Sequence, residues 1–132
     1  MIGSIFVNLP IENLNKSVDF FSSLGFTFNH QFTSEDSTCM IVAENIYVML
    51  LEKEKFSTFL DKPIADKSTT EALLALSCDS IDEVRRLSET AFSLGARNYK
   101  EPEDHPFMFG WGFEDLDGHI WELFWMNPEH LK

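Results

Sequence analysis

Glu122 is the residue best placed to do chemistry. In the closing stretch DLDGHIWELFW, residues 115–125, it is one acid among Ile120, Trp121, Leu123 and Phe124. A carboxylate set into an apolar strand costs on the order of several kcal/mol unless something satisfies it, so a partner is expected. Three roles fit. Glu122 can ligate a metal, act as a catalytic base with its pKa raised by apolar walls, or hydrogen-bond a neighbour, Asn8 being the first candidate. A second group is His105, which follows Asp104 in EDHPFMF, a loop entering a strand. An Asp–His pair beside a buried acid can move a proton on a carbonyl compound, although a plain surface loop is the simpler reading. His119 is three residues before Glu122, so strand alternation sends it to the opposite face. His30 and His130 read as solvated. Cys39 and Cys78 lie in apolar runs and read as buried free thiols, too few and too far apart for a disulfide framework or a zinc site.

The elements that must position these groups come in two similar sets. IGSIFVNLPI alternates as a strand, with Ile5, Val7 and Leu9 on one face and Phe6 and Asn8 on the other. ENLNKSVDFFSSLG reads as a helix started by Asn13 or Glu12, striped by Leu14, Val18, Phe21 and Leu24, and stopped by Gly25. FTFNHQFT, STCMIVAEN and IYVMLLE follow as strands, the last two joined at Asn45. After a polar connector the order returns. EALLALSCDS is a strand, SIDEVRRLSETAFSLG a helix with a Ser80–Glu83 capping box and a stop at Gly95. ARNYKE, FMFGWGFED and HIWELFWM are strands, with Asp117–Gly118 as the last hairpin turn. Both helices end in Ser-Leu-Gly. The pattern is strand–helix–three strands, twice, which argues for two homologous modules: about 1–53 and 71–127, joined by a connector over 54–70. Ile5, Val7 and Leu9 suit packing under the first helix, as Leu74, Leu76 and Cys78 suit the second. Phe6, Asn8, Leu73, Ala75 and Ser77 would then face a cavity.

Composition narrows the function classes. The 132 residues make one globular domain with a real core, 44% of them hydrophobic. The net charge of −12 disfavours nucleic acid and anionic lipid as partners. No signal peptide or membrane-spanning stretch is visible, so a cytoplasmic protein is expected. The 13 phenylalanines must line a core or a pocket. Phe107, Phe109, Trp111 and Phe113 alternate along one strand, with Phe6, Phe124 and Trp125 on its neighbours; such stripes build cores and interfaces, and they also wall ligand sites.

FVNLPIENLNKSVDFFSSLGF at the start and FEDLDGHIWELFWM at the end, on a repeated strand–helix–three-strand frame, resemble the vicinal oxygen chelate family. That family contains glyoxalase, the bleomycin-resistance proteins and the extradiol dioxygenases. The resemblance covers nearly the whole chain, and the Asp117-Gly118-x-x-x-Glu122 motif is its most specific part; the nearest likeness is to glyoxalase-like, lactoylglutathione lyase-related proteins. It implies an α+β fold of two βαβββ modules forming a curved mixed sheet around a cavity, helices outside, and a homodimer. It also implies that metal-dependent members draw one ligand from the first and last strand of each module. Glu122 falls on one such position. The others fall on Phe6, Leu73, and Met49 or Leu50, none of which suits a divalent ion, and Glu52 would serve only after a further slip in register. The expectation is therefore a small-molecule binder with no cofactor and no four-ligand metal centre. Glu122 is its catalytic candidate, and its metal ligand if a divalent metal is bound. Phe6, Asn8, Leu73, Trp111, Phe124 and His105 are the ligand-binding candidates. A metal-dependent lyase or isomerase of the lactoylglutathione lyase type, and a drug-sequestering resistance protein, are the alternatives.

Overall fold

The first helix starts where its sequence says it should. The Asn13 side chain accepts a hydrogen bond from the Lys16 amide at 3.0 Å, capping α1 (Leu14–Ser23). In this computed structural model, which describes residues 1–130, α1 follows β1 (Ile5–Ile11) and precedes β2 (Thr27–Asn29), β3 (Ser37–Ala43) and β4 (Ile46–Glu52). A short α2 (Lys53–Ser57) opens the connector. The second module repeats the order with β5 (Leu73–Ser77), α3 (Ile81–Ser93), β6 (Glu103–Asp104), β7 (Met108–Glu114) and β8 (Ile120–Met126). The chain divides into two compact units after Ile64, inside the expected connector.

Each module owns a four-stranded mixed sheet, ordered β1-β4-β3-β2 and β5-β8-β7-β6. The first strand of each lies parallel to the last, and the remaining pairs are antiparallel. This is the expected α+β arrangement of two βαβββ modules. No helix among the described residues is long and apolar enough to cross a membrane.

Strand alternation separates a helix-covered face from an open one. In the first module Leu9, Val48 and Leu50 are buried, whereas Phe6 and Asn8 are exposed and Phe6 stacks on Tyr47 at 4.6 Å. In the second, Phe109, Trp111, Phe113, Trp121 and Leu123 are buried on the side where α3 packs on β7 and β8. Leu73, Ala75 and Ser77 are exposed, and Leu74 and Leu76 are half-buried. The helix stripes shift slightly from expectation: α1 buries Ser17 and Phe20 along with Leu14 and Phe21, and Val18 is only half-buried.

Three segments depart from the sequence reading. FTFNHQFT keeps only three strand residues, because Asn29 caps a 3-10 turn at His30–Phe32. The connector is helical over KEKFS, four of whose five residues are good or adequate helix formers. ARNYKE is not a continuous strand: Arg97 bridges Glu114, and pairing resumes only at β6.

Both thiols are free, Cys39 buried and Cys78 half-buried. Burial raises the Cys39 thiol, and it pushes Cys78 up to about 12, with the charges of Glu83 and Asp79 adding to the effect. Thiolate is the reactive form, so at pH 8 Cys78 should carry about a thousandfold less of it than an ordinary thiol. Iodoacetamide should therefore label the native protein at least about a hundredfold more slowly than the urea-unfolded chain. Equal rates would refute this description of both sites.

Candidate functional site

Asp115 sets the geometry around Glu122. Its Oδ1 accepts from the Asp117 and His119 amides at 2.9 and 3.0 Å, and its Oδ2 accepts from Trp121 Nε1 at 2.8 Å. Asp115 is buried, and burial raises its carboxyl above the usual range, against the opposing pull of His119 and of these hydrogen bonds. The turn it organises ends at Gly118, whose φ of +88° belongs to the left-handed region glycine favours. Anchoring the Trp121 indole to Asp115 fixes that ring on the helix side. Alternation then turns Glu122 to the open face. His119 is buried, with Nδ1 3.0 Å from Glu71 Oε1, and Lys67 Nζ donates to the Leu116 carbonyl at 3.0 Å. These two contacts pin residues 67–71 to the turn.

On the open face Glu122 stands opposite Gly112 of β7 and Ala75 of β5, and Phe124 stands opposite Gly110 and Ser77. Small residues on both sides leave the carboxylate uncovered by its strand neighbours. Glu122 Oε1 lies 3.9 Å from the point where Gly110 would carry a Cβ. Beyond Gly110, across the sheet, is Glu103. Its Oε1 is 3.2 Å from Lys100 Nζ, and its Oε2 is 3.9 Å from His105 Nε2. Lys100 Nζ lies 5.8 Å from the centre of the Tyr99 ring. Burial raises the Tyr99 hydroxyl, and the negative charges of Glu122 and Glu103 add to that while Lys100 opposes it. Burial also pulls the Lys100 ammonium down, but its bond to Glu103 and the charge of Glu122 outweigh this and hold it above the usual range.

Two polar groups here lack partners. Glu122 makes no hydrogen bond or ion pair with any other described residue, and the Tyr99 hydroxyl is buried with no hydrogen-bond partner among them. The only other buried side-chain atom in that condition among the described residues is Ser88 Oγ, on α3.

The expected site residues fall in different places. Glu122, Phe124 and Leu73 share the open face of the second module, Leu73 lying opposite Ile120. His105 is exposed at the edge of that sheet, stacked on Phe107 at 5.3 Å, and it approaches Glu103 rather than Asp104. Trp111 is turned the other way. Its register partner is Leu123, its ring packs edge-on against Phe92 at 5.2 Å, and Nε1 donates to Asn98 Oδ1 and the Lys100 carbonyl. Its place is under α3 and not beside Glu122, because odd and even residues of β7 face opposite sides. Phe6 and Asn8 lie on the open face of the first module. Asn8 Nδ2 donates to the Phe6 carbonyl at 3.0 Å, a local bond that takes up the group expected to satisfy Glu122. The Met49-or-Leu50 ambiguity resolves to Met49 on the open face, opposite Asn8, with Leu50 fully buried. Glu52 is not available as a ligand at that position, since its Oε2 accepts from the Leu14 amide at 2.9 Å and so caps α1.

Sequence reasoning missed Tyr99, Lys100 and Glu103, all in the irregular edge segment, and Asp115, whose signal was its position two residues before Asp117-Gly118. A four-ligand metal centre does not fit the donor chemistry. The open-face positions of the first and last strands offer Phe6, Asn8, Tyr47, Met49, Leu73 and Ala75 besides Glu122. No group of three or more His, Cys, Asp or Glu side chains suited to a metal is gathered among the described residues. A surface hollow of about 410 Å³ in the first module is lined by Glu12, Glu52, Lys53 and neighbours. It contains none of the expected residues, and Glu12 there pairs with Lys53 at 3.0 Å.

The family model described as the Glyoxalase/Bleomycin resistance protein/Dioxygenase superfamily matches residues 3–123. Among solved structures, a hypothetical protein, SA1046, from S. aureus is similar at 26% identity, with 94% of each chain covered and a TM-score of 0.81. A glyoxalase-related enzyme from Fulvimarina pelagi is similar at 19% identity, covering 97% of this chain and 90% of its own, with a TM-score of 0.80. The fosfomycin resistance protein FosX from Listeria monocytogenes is similar at 19% identity, covering 98% and 97%, with a TM-score of 0.72. A comparison with curated proteins finds no match.

Proposed function

The chain belongs to the glyoxalase/bleomycin resistance protein/dioxygenase superfamily, and from that premise we propose that it binds a small organic molecule on the open sheet face around Glu122, without a four-ligand metal centre. One observation carries the reading. A carboxylate in mid-strand, half-buried and without a protein partner among the described residues, is flanked by Gly110, Gly112, Ala75 and Ser77, so a molecule can reach it. Leaving such a group unsatisfied is costly, and a ligand donor resolves the cost. Phe124 and Leu73 supply apolar surface beside it. Glu122 is also the group set to take a proton from a bound compound, the role of a general base.

The test is thermal shift and calorimetry against apolar carbonyl compounds and cationic aromatic compounds. At least one should stabilise the native protein, by about 2.7 kcal/mol at a hundred times its Kd, and Glu122→Leu should abolish the effect. No stabilisation by any compound at saturation would sink the proposal. So would stoichiometric nickel, zinc, iron or manganese that copurifies with the native protein and is lost in Glu122→Leu.

A further inference from the structure

The Tyr99 hydroxyl and the Glu122 carboxylate are the two unsatisfied groups on one side of the second module, and their chemistry is complementary. A carboxylate offers acceptors. Burial keeps the phenol protonated, so it offers a donor. They are near enough for the charge of Glu122 to act on the Tyr99 hydroxyl, yet no hydrogen bond joins them. Nothing in the protein occupies the ground over Gly110 and Gly112, because neither residue has a side chain there. Native folds rarely leave a buried hydroxyl unpaired, and each exception calls for an explanation. Lys100, held by Glu103 through one of its three N–H groups, keeps donors free beside the Tyr99 ring. The donors therefore lie on the Tyr99 and Lys100 side and the acceptor lies at Glu122.

We propose that Tyr99 and Glu122 are the two polar halves of one ligand subsite, which takes a compact apolar compound carrying a hydroxyl or ammonium donor beside a carbonyl oxygen. The carbonyl oxygen accepts from Tyr99, and the donor binds Glu122. This rests on the reading of the Glu122 face as the ligand site, and it names what that face selects. Tyr99 sets specificity through its hydroxyl. Its ring remains in the packing whichever ligand is bound.

Three matched probes separate the contributions: 2-hydroxyacetophenone, which has both groups; acetophenone, which has only the carbonyl; and 2-phenylethanol, which has only the hydroxyl. Dissociation constants are measured by calorimetry or ligand-observed NMR for the native protein, Tyr99→Phe and Glu122→Leu. The native protein should prefer the hydroxyketone at least about tenfold over either single-group probe. Tyr99→Phe should weaken the hydroxyketone and acetophenone about tenfold and leave 2-phenylethanol unchanged. The unliganded Tyr99→Phe protein should melt no lower than the native one, since it loses an unpartnered buried hydroxyl. Equal binding of all three probes, lost in Glu122→Leu but untouched in Tyr99→Phe, would overturn the pairing and leave the ligand site standing. Binding of none would overturn both. A fall in the melting temperature of unliganded Tyr99→Phe, with uniform loss across the probes, would show the hydroxyl to be structural and overturn the proposal.

Discussion

Asp115→Ala should cost the fold about 3–4 kcal/mol, measured as a lower denaturation midpoint at unchanged m-value. The reason is the number of donors that meet this one side chain. The Asp117 and His119 amides and Trp121 Nε1 all give it hydrogen bonds of 2.8–3.0 Å, and Trp121 is almost fully buried. Alanine strands these donors in a place water does not reach. Asp115→Asn separates charge from geometry. Its amide oxygen can still accept from the two backbone groups, but its NH2 then faces the indole N–H, donor against donor. A loss of about 1–2 kcal/mol is expected for Asn, smaller than for Ala. The effect should extend to ligand binding. Side chains on β8 alternate, so a slip of one residue would exchange Trp121 for Glu122 on the open face. Probe binding to Asp115→Ala should fall even at temperatures where the variant is folded. A stability loss under about 1 kcal/mol would mean that the turn holds without Asp115.

Much of this frame was legible in the sequence, for physical reasons that differ between elements. The helices carry their own punctuation. Asn13 and Ser80 accept the expected bonds, and Gly25 and Gly95 adopt φ near +104° and +105°. The capping box closes on a neighbouring residue: Glu83 Oε1 accepts from the Asp79 amide instead of that of Ser80. Faces within a single strand were legible too, which is why Phe6, Leu73 and Glu122 were rightly separated from Leu9, Leu74 and Trp121. Register between strands was not. Trp111 and Phe124 both looked like ligand walls, but Trp111 pairs with Leu123 and Gly110 with Phe124, so the two aromatics face opposite sides. Alternation in one strand cannot supply that information, because pairing depends on the turn between strands and on long-range contacts. The edge segment failed for a related reason. ARNYKE has the composition of a strand, but the Trp111 indole takes the Asn98 side chain and the Lys100 carbonyl, and ladder pairing lapses there. That lapse is what places Tyr99 and Lys100 near Glu122. His119 was correctly set apart from Glu122, but its partner Glu71 lies 48 residues away in the connector and left no local trace.

Gly112→Ala should be the most damaging single methyl in the second module, costing upwards of about 3 kcal/mol or preventing folding. The added Cβ would sit 2.1 Å from the Trp121 carbonyl oxygen and 3.0 Å from Glu122 Cα, both backbone atoms that cannot step aside without parting β7 from β8. The φ of +151° adds strain that no L side chain escapes. Gly110→Ala is the informative contrast, two residues away on the same face. There the Cβ meets Met108 Cε at 3.1 Å, the far end of a flexible side chain, and Glu122 Oε1 at 3.9 Å, an ordinary contact. Its stability should change by less than about 1 kcal/mol. Its effect should fall on binding instead, because the methyl occupies ground over which a ligand must lie to reach Glu122. The two glycines thus separate folding from recognition. Gly112 lets the backbones approach so that Glu122 can stand where it does, and Gly110 keeps the space in front of it open. A folded Gly112→Ala protein of near-native stability would contradict the β7–β8 geometry described here. A Gly110→Ala protein that binds its ligand as tightly as the native one would place the ligand elsewhere than over this face.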